Sequence, residues 1–171
     1  ASITVDSQST SINDMATAII MRKSNQTSIG NIGDIQVDSI MVSRGIQIVK
    51  SDNNILGDIG GITLSSQTDS SYALEIENSD HNTFGNFGDI SSESTDGVSD
   101  GVELDYSKHN TFGNFGDITA TSGDGISDAI ELDNSNDNEF GHFGDVIATS
   151  VDGIADAIEV GDSNDNVFGN F

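Results

Sequence analysis

The chain has no cysteine and no proline, and only five of its 171 residues are lysine or arginine. Without cysteine it can form neither a disulfide scaffold nor a thiolate metal site. No apolar run approaches the roughly 18 residues of a membrane-spanning helix, so we expect no membrane span. The scarcity of basic side chains argues against nucleic acid as a partner, because binding phosphates requires Lys and Arg.

Negative charge is what the sequence has in excess, with a net charge of −24. Residues 1–50 carry four acidic and four basic side chains, whereas residues 51–171 carry 25 acidic side chains and one basic side chain, Lys108. All of the excess therefore lies in the C-terminal two-thirds. One interpretation of the excess charge is that it keeps the protein soluble. Site-specific cation binding and adaptation to a saline environment are the alternatives.

A repeat of about 28 residues runs through the chain, marked by the nonapeptide NTFGNFGDI at 82–90 and again at 110–118. Apolar and polar residues alternate within each unit, which is typical of strands, and Gly, Asn, Asp and Ser cluster between the alternating runs. A β-type unit that repeats in register predicts one coil per unit. The predicted fold class is all-β, a parallel β-solenoid of about six 28-residue coils with an incomplete coil at each end. One glycine position of the nonapeptide recurs in every unit: Gly30, Gly57, Gly85, Gly113, Gly141 and Gly169.

The whole chain, 1–171, is predicted to be a single solenoid domain. Equivalent residues of stacked coils would lie above one another, so the eight Phe form two interior stacks and a recurring Asn forms a hydrogen-bonded ladder. The glycines beside each Phe are expected to adopt positive φ at a tight corner. The predicted coils are 1–24, 25–51, 52–79, 80–107, 108–135 and 136–163, followed by a partial coil, 164–171.

Three acidic columns follow from the pattern D-G-x-x-D-x-x-E, which occurs in three consecutive units. Like charges stacked about 4.8 Å apart repel by roughly 1 kcal/mol in water, and a bound cation would relieve this repulsion. Ca²⁺ takes six to eight oxygen ligands, so it is the candidate cofactor; a solvated acidic face is the alternative. The acids repeat, whereas an active site is singular, so we expect no catalytic residue and no enzyme. The candidate ligands are Asp96, Asp100, Glu103, Asp124, Asp128, Glu131, Asp152, Asp156 and Glu159.

The two ends of the sequence predict a joint between copies of the chain. The motif at the C-terminus, NVFGNF, stops before the GDI positions, and the N-terminal ASITV supplies those positions without insertion or deletion. Head-to-tail contacts of this kind build a filament, with residues 7–14 (SQSTSIND) as a loop specific to the joint. The alternative is a segment cut from a longer solenoid. The predicted joint residues are Ala1, Ser2, Ile3, Val5, Arg22, Lys23, Phe168, Gly169 and Phe171.

The units GDITATSGDGISDAIEL at 116–132 and GDVIATSVDGIADAIEV at 144–160 resemble the repeats of secreted bacterial parallel β-helix proteins. Autotransporter passenger domains and filamentous-haemagglutinin-like adhesins are the nearest in style. The resemblance implies an extracellular or cell-surface, fibrous and non-catalytic protein, and in the adhesin alternative a surface or glycan ligand. An ice-binding solenoid is disfavoured, because the Thr-x-Thr pair of Thr119 and Thr121 is not kept in the other coils.

Overall fold

The computed structural model describes residues 1–9 and 15–171 of the chain. In this part of the chain it contains seventeen β-strands and no helix. The strands form three parallel sheets. Each coil contributes one strand to each sheet in turn, except that the last coil contributes to only two of them. The predicted fold class is confirmed: the protein is an all-β parallel β-solenoid of about six turns.

The strands are numbered in chain order and stack in that order within each sheet. Sheet A consists of β1 (Ile3–Ser7), β4 (Ile35–Ser39), β7 (Ile62–Ser66), β10 (Ile90–Ser94), β13 (Ile118–Ser122) and β16 (Val146–Ser150). Sheet B consists of β2 (Met15–Arg22), β5 (Val42–Val49), β8 (Ser71–Glu77), β11 (Ser99–Asp105), β14 (Ser127–Asp133) and β17 (Ala155–Gly161). Sheet C consists of β3 (Ser28–Ile29), β6 (Ile55–Leu56), β9 (Thr83–Phe84), β12 (Thr111–Phe112) and β15 (Glu139–Phe140).

The register between coils follows the sequence repeat. Ile90 pairs with Ile118, 28 residues further along the chain. The first coil is longer, because Ile3 pairs with Ile35, 32 residues on, while Met15 pairs with Val42, 27 residues on. The additional residues lie between β1 and β2, where the sequence predicted a loop; residues 10–14 of that loop lie outside the described residues.

The interior consists of columns of identical or similar side chains. Six Phe–Phe pairs join equivalent positions of neighbouring coils, with ring centroids 4.6 to 5.0 Å apart and ring planes within 6° of parallel. This is the spacing of adjacent strands, about 4.8 Å, and it confirms the two predicted Phe stacks. Two aliphatic columns of sheet B, which include Ile130 and Leu132, are fully buried in the middle coils.

A ladder of asparagines beside the Phe stack satisfies the buried backbone at one corner. The backbone N–H and the Nδ2 of Asn82 both donate to Oδ1 of Asn110, at 2.8 and 3.1 Å. The Nδ2 of Asn82 also donates to the carbonyl oxygen of Ser51, at 2.9 Å. The pattern repeats from Asn54 to Asn166, which confirms the predicted Asn ladder.

The glycines of the nonapeptide have a different role from the predicted one. No glycine in the described part of the chain has positive φ, and left-handed corners are formed by other residues, such as Asn78 (φ 48°) and His81 (φ 58°). A Cβ added to Gly113 would lie 2.6 Å from the carbonyl oxygen of Gly85 in the coil below. Glycine is needed there because the backbones of neighbouring coils approach too closely for a side chain.

Candidate functional site

Two carboxylate columns run side by side along sheet B, and the geometry of β11 explains why. The Ser99 hydroxyl donates to Ser92 Oγ of sheet A at 3.1 Å, and a Cβ on Gly101 would meet Ile118 Cγ2 of the same sheet. Both positions therefore face the interior. Because side chains alternate along a strand, Asp100, which lies between them, points to the outer side of sheet B, where it is nevertheless only 1% exposed.

The alternation then shifts by one residue. Val102, directly after the inward-facing Gly101, is also fully buried, and the pairing of β11 with β14 passes over Gly101. Glu103 therefore faces outwards, as Asp100 does. On a regular strand, side chains three residues apart lie on opposite faces. The shift in alternation instead places Asp100 and Glu103 next to each other on one face. The same pairing gives β14 the equivalent arrangement of Asp128 and Glu131.

Three of these carboxylates come together between the fourth and fifth coils. Asp100, Asp128 and Glu131 each place an oxygen within 4.8 Å of the others. The side chains of Asp100 and Asp128 are 1% and 2% exposed, and Oδ1 of each has no hydrogen-bond partner among the described residues. Buried polar groups are normally satisfied, so two unpartnered carboxylate oxygens side by side are unusual.

Asp100 of this cluster and the neighbouring Glu103 hold their protons unusually strongly. Burial raises the pKa of Asp100 from 3.8 to about 9, and the charges of Glu103, Glu131 and Asp128 add to the rise. Burial also raises the pKa of Glu103 to about 8, with further contributions from Glu75 and Glu131. These directions follow from two causes acting together, the removal of water and the accumulation of like charge.

The other two members of the cluster shift in the same direction. Burial raises the pKa of Asp128 to about 6, together with the charges of Glu159 and Asp156. Burial raises the pKa of Glu131 to about 7, and Asp128 is the largest charge contribution. A second group of three, Asp128, Asp156 and Glu159, also gathers its oxygens within 4.8 Å, but its last two members are more exposed.

In the lower coils the same two columns hold partners for the acids. Arg44 Nε lies 2.5 Å from Glu75 Oε2, and Gln47 Nε2 donates to the same oxygen at 3.0 Å. The Arg44 guanidinium also lies over the ring of Tyr72, with Cζ 5.0 Å from the ring centroid. No basic side chain stands in register with Asp100, Asp128 or Asp156 in the upper coils. Negative charge is therefore compensated at Glu75 and uncompensated above it.

The remaining predicted ligands lie apart from the cluster. Asp96, Asp124 and Asp152 are exposed residues of the turns that precede sheet B strands. Among the described residues they belong to neither of the two groups that could hold a metal ion. The second and third acidic positions of the sequence pattern are therefore neighbours in the structure. The first position, the aspartate before each glycine, was grouped with them by the sequence pattern but lies in the turns.

The N-terminal residues form the first strand of the solenoid. The backbone N–H of Gly33 donates to the carbonyl oxygen of Ala1 at 3.0 Å, and that of Ile3 donates to the carbonyl oxygen of Asp34 at 2.8 Å. Ile3 and Val5 pair with Ile35 and Val37. Ala1, Ser2 and Ile3 therefore stand in the column of the GDI residues, as the alignment of the repeats predicts.

Both end coils expose side chains whose equivalents are buried elsewhere. Val160 is 47% exposed and Ile158 is 38% exposed, although Leu132 and Ile130 below them are fully buried. Phe171 is exposed, while Phe168 is partly buried against the core. In the first coil, Ile3 and Val5 are partly buried, and Arg22 and Lys23 are exposed. The side chain of Arg22 donates to Gln47 Oε1 at 3.0 Å.

The fold and these surfaces define the protein as a parallel β-solenoid with three sheets and an acidic upper half. No family model matches the chain, and no curated protein or solved structure matches it at a significant level. A search of the described residues for helices that could cross a membrane found none.

Proposed function

We propose that the protein is a non-catalytic structural protein, outside the cell or on its surface, whose solenoids stack head to tail into a filament. The observation that carries the proposal is the complementarity of the two end faces. Each presents the edge of a sheet and the end of the same apolar columns. These columns are exposed at Val160 and Ile158 in the last coil and end at the partly buried Ile19 in the first. The extracellular location follows from the resemblance of the repeats to secreted β-helix proteins.

The hydrogen bonds of sheet A indicate how one copy would continue the next. The N–H of Ile118 donates to the carbonyl oxygen of Asp145 at 2.8 Å, and the equivalent bond occurs between all lower coils. The N–H of Val146 is the corresponding donor at the upper edge. Ser2 occupies the Asp145 position in the repeat, so its carbonyl oxygen in the next copy would accept this bond, as in strand addition.

Gly30 supports the same arrangement. A Cβ on any other glycine of its column would lie within 3 Å of an atom of the coil below, whereas a Cβ on Gly30 would meet nothing within 4 Å. Among the described residues, sheet C has no strand beneath β3, the strand next to Gly30. In a head-to-tail stack Gly169 of the preceding copy lies beneath Gly30, and the requirement for glycine returns.

Charge favours the head-to-tail pairing over the other combinations of ends. The first coil carries Arg22 and Lys23, and the last coil carries Asp156 and Glu159. Joining two C-terminal ends would place two acidic faces together, which costs free energy through repulsion. Joining two N-terminal ends would gain no attraction, because residues 1–24 carry two acidic and two basic side chains. Joining unlike ends brings opposite charges together and continues the parallel strand direction. Such a contact does not close on itself and therefore extends.

Sedimentation velocity over a range of concentrations, followed by negative-stain electron microscopy, tests the proposal. Two substitutions in the last coil form a matched pair, because Val160 and Ile147 are both 47% exposed. Val160 lies in a core column that stacking would bury, whereas Ile147 is paired with Thr119, an outward position in the coil below. We expect Val160→Lys to abolish filaments and Ile147→Lys to leave them unchanged.

Gly30→Ala provides a second test from the opposite end. We expect it to leave the melting temperature of the single solenoid unchanged and to prevent assembly. A chain that remains a monomer at every concentration would refute the filament and would favour a segment of a longer solenoid. Assembly that is equally sensitive to Val160→Lys and Ile147→Lys would refute this joint.

A further inference from the structure

We propose a divalent cation site between the fourth and fifth coils, in which Asp100, Asp128 and Glu131 bind Ca²⁺ through carboxylate oxygens. The site is independent of the filament, because all three ligands lie within one chain and away from both end coils. The ion would link strands β11 and β14.

The buried carboxylates themselves point to a ligand. Oδ1 of Asp100 and Oδ1 of Asp128 are buried without a hydrogen-bond partner, and both carboxylates contribute an oxygen to the cluster. A buried charge without a partner is destabilising. A cation between the two side chains would satisfy both oxygens and offset their mutual repulsion.

The spacing of the oxygens fits an ion of this class. Ca²⁺ binds oxygen at about 2.3–2.6 Å, so two ligands on opposite sides of the ion lie about 4.8 Å apart. The three oxygens all lie within 4.8 Å of one another. A donor set of carboxylates alone, without His or Cys, is typical of Ca²⁺ and Mg²⁺ sites. Ca²⁺ also accepts an irregular ligand arrangement, such as side chains on neighbouring strands provide.

The distribution of positive charge indicates why a cation is needed here and not lower in the solenoid. Glu75 has Arg44 and Gln47 as partners. Glu103 and Glu131 continue the column of Glu75 and lie next to Asp100 and Asp128 on the same face. No salt bridge to Arg or Lys reaches these four acids within the described residues. A bound ion would take the place that Arg44 fills two coils earlier.

The position of Tyr72 gives the site its own spectroscopic reporter. Tyr72 is the cross-strand partner of Asp100, so its backbone lies one strand spacing, about 4.8 Å, from that of a proposed ligand. Tb³⁺ binds to Ca²⁺ sites and emits when a nearby tyrosine transfers excitation energy to it. The chain has two tyrosines and no tryptophan. Tyr106, which is exposed, is the control.

The experiment is a Tb³⁺ titration of the full chain at fixed KCl concentration, followed by displacement with Ca²⁺. We expect sensitised emission that Ca²⁺ abolishes, that Tyr72→Phe removes and that Tyr106→Phe preserves. Asp128→Asn and Glu131→Gln should each weaken Ca²⁺ binding by about tenfold or more, as loss of a charged ligand does. Asp124→Asn removes the same charge from an exposed turn and should change the affinity by less than about twofold.

Three results would refute the site. The first is an absence of sensitised emission. The second is emission that depends on Tyr106 and not on Tyr72. The third is an equal loss of affinity in Asp128→Asn and Asp124→Asn, which would mean that ions are attracted by the acidic surface in general. The titration is repeated with Val160→Lys, which we expect to be monomeric. Ca²⁺ binding by this variant would show that the cation site does not depend on filament assembly.

Discussion

Asp100 and Asp128 are cross-strand partners on adjacent coils, and each keeps one carboxylate oxygen buried and without a hydrogen-bond partner. Two like charges in this relationship repel strongly when water is excluded. Either a proton or a cation must therefore accompany them.

Without divalent cations, the protein should become less stable as the pH rises from about 4 to about 9. The pKa of Asp100 is 3.8 when unperturbed and about 9 in the folded state, and the pKa of Glu103 rises from 4.5 to about 8. The folded state therefore holds protons that the unfolded state has released, so unfolding is favoured as these protons are lost. Thermal melting in the presence of chelator at constant ionic strength checks this. A melting temperature that rises with pH over this range would contradict it.

Asp128→Asn should stabilise the cation-free protein at neutral pH by about 1 kcal/mol or more, because it replaces a buried and unsatisfied charge by a neutral amide of the same shape. Asp124→Asn, in an exposed turn, should change the free energy of unfolding by less than about 0.5 kcal/mol. Chemical denaturation in chelator measures both. The variant that gains stability without Ca²⁺ should be the one that loses Ca²⁺ binding.

Arg44→Met should destabilise the protein by about 1–3 kcal/mol, since it leaves Glu75 partly buried without its charged partner. It also removes the stacking of the guanidinium on Tyr72. Adding Glu75→Gln to Arg44→Met should restore a large part of the lost stability. A double-mutant cycle measures this coupling, and additive effects of the two substitutions would show that the ion pair contributes nothing.

Asn110→Ala should be far more damaging than Asn114→Ala, although both remove a side chain whose Oδ1 accepts a backbone N–H from a neighbouring coil. Oδ1 of Asn110 accepts from the backbone N–H and the Nδ2 of Asn82 in a fully buried position, so its loss leaves buried donors unsatisfied and costs about 2–4 kcal/mol. Oδ1 of Asn114 accepts from the N–H of His142 at an exposed corner, where water can take its place. Equal denaturation midpoints for the two variants would contradict this account.

Gly113→Ala should destabilise the solenoid by about 2 kcal/mol or more, because the new methyl group would overlap the carbonyl oxygen of Gly85 and force two coils apart. Gly30→Ala, at the equivalent position of an open end, is the control and should melt like the unmodified monomer. Similar melting temperatures for the two variants would show that close approach of the coils is not what requires glycine.

The sequence was sufficient to predict the fold, because parallel stacking converts a repeat in the chain into columns in space. The Phe stacks and the Asn ladder follow directly from the 28-residue spacing, since residues at the same position of successive units must lie above one another. The role of the glycines was not predictable in this way. Glycine is required because the backbones of neighbouring coils lie very close together at Gly85 and Gly113. The sequence does not specify this distance.

The candidate site was only partly predictable for a similar reason. The spacing of Asp100 and Glu103 puts them on opposite faces of an ideal strand, and only the shift of alternation at Gly101 and Val102 brings them together. The sequence does contain a signal for this shift. Two successive small or apolar residues separate the acids, Gly-Val in one coil and Ala-Ile in the next two. Asp124 shares the charge and the periodicity of Asp128, so the pattern could not separate an exposed turn from a buried strand.

The constant register has a consequence for how such a protein changes over generations. Ile90, Ile118 and Val146 stand above one another at intervals of 28 residues, so duplicating one unit, such as 108–135, would insert a whole coil without altering any contact in its neighbours. Each duplication would lengthen the rod by about 4.8 Å and would copy every ladder, including the acidic one. The length of such a solenoid can therefore change by whole coils. Recombination between near-identical units can add a coil or remove one.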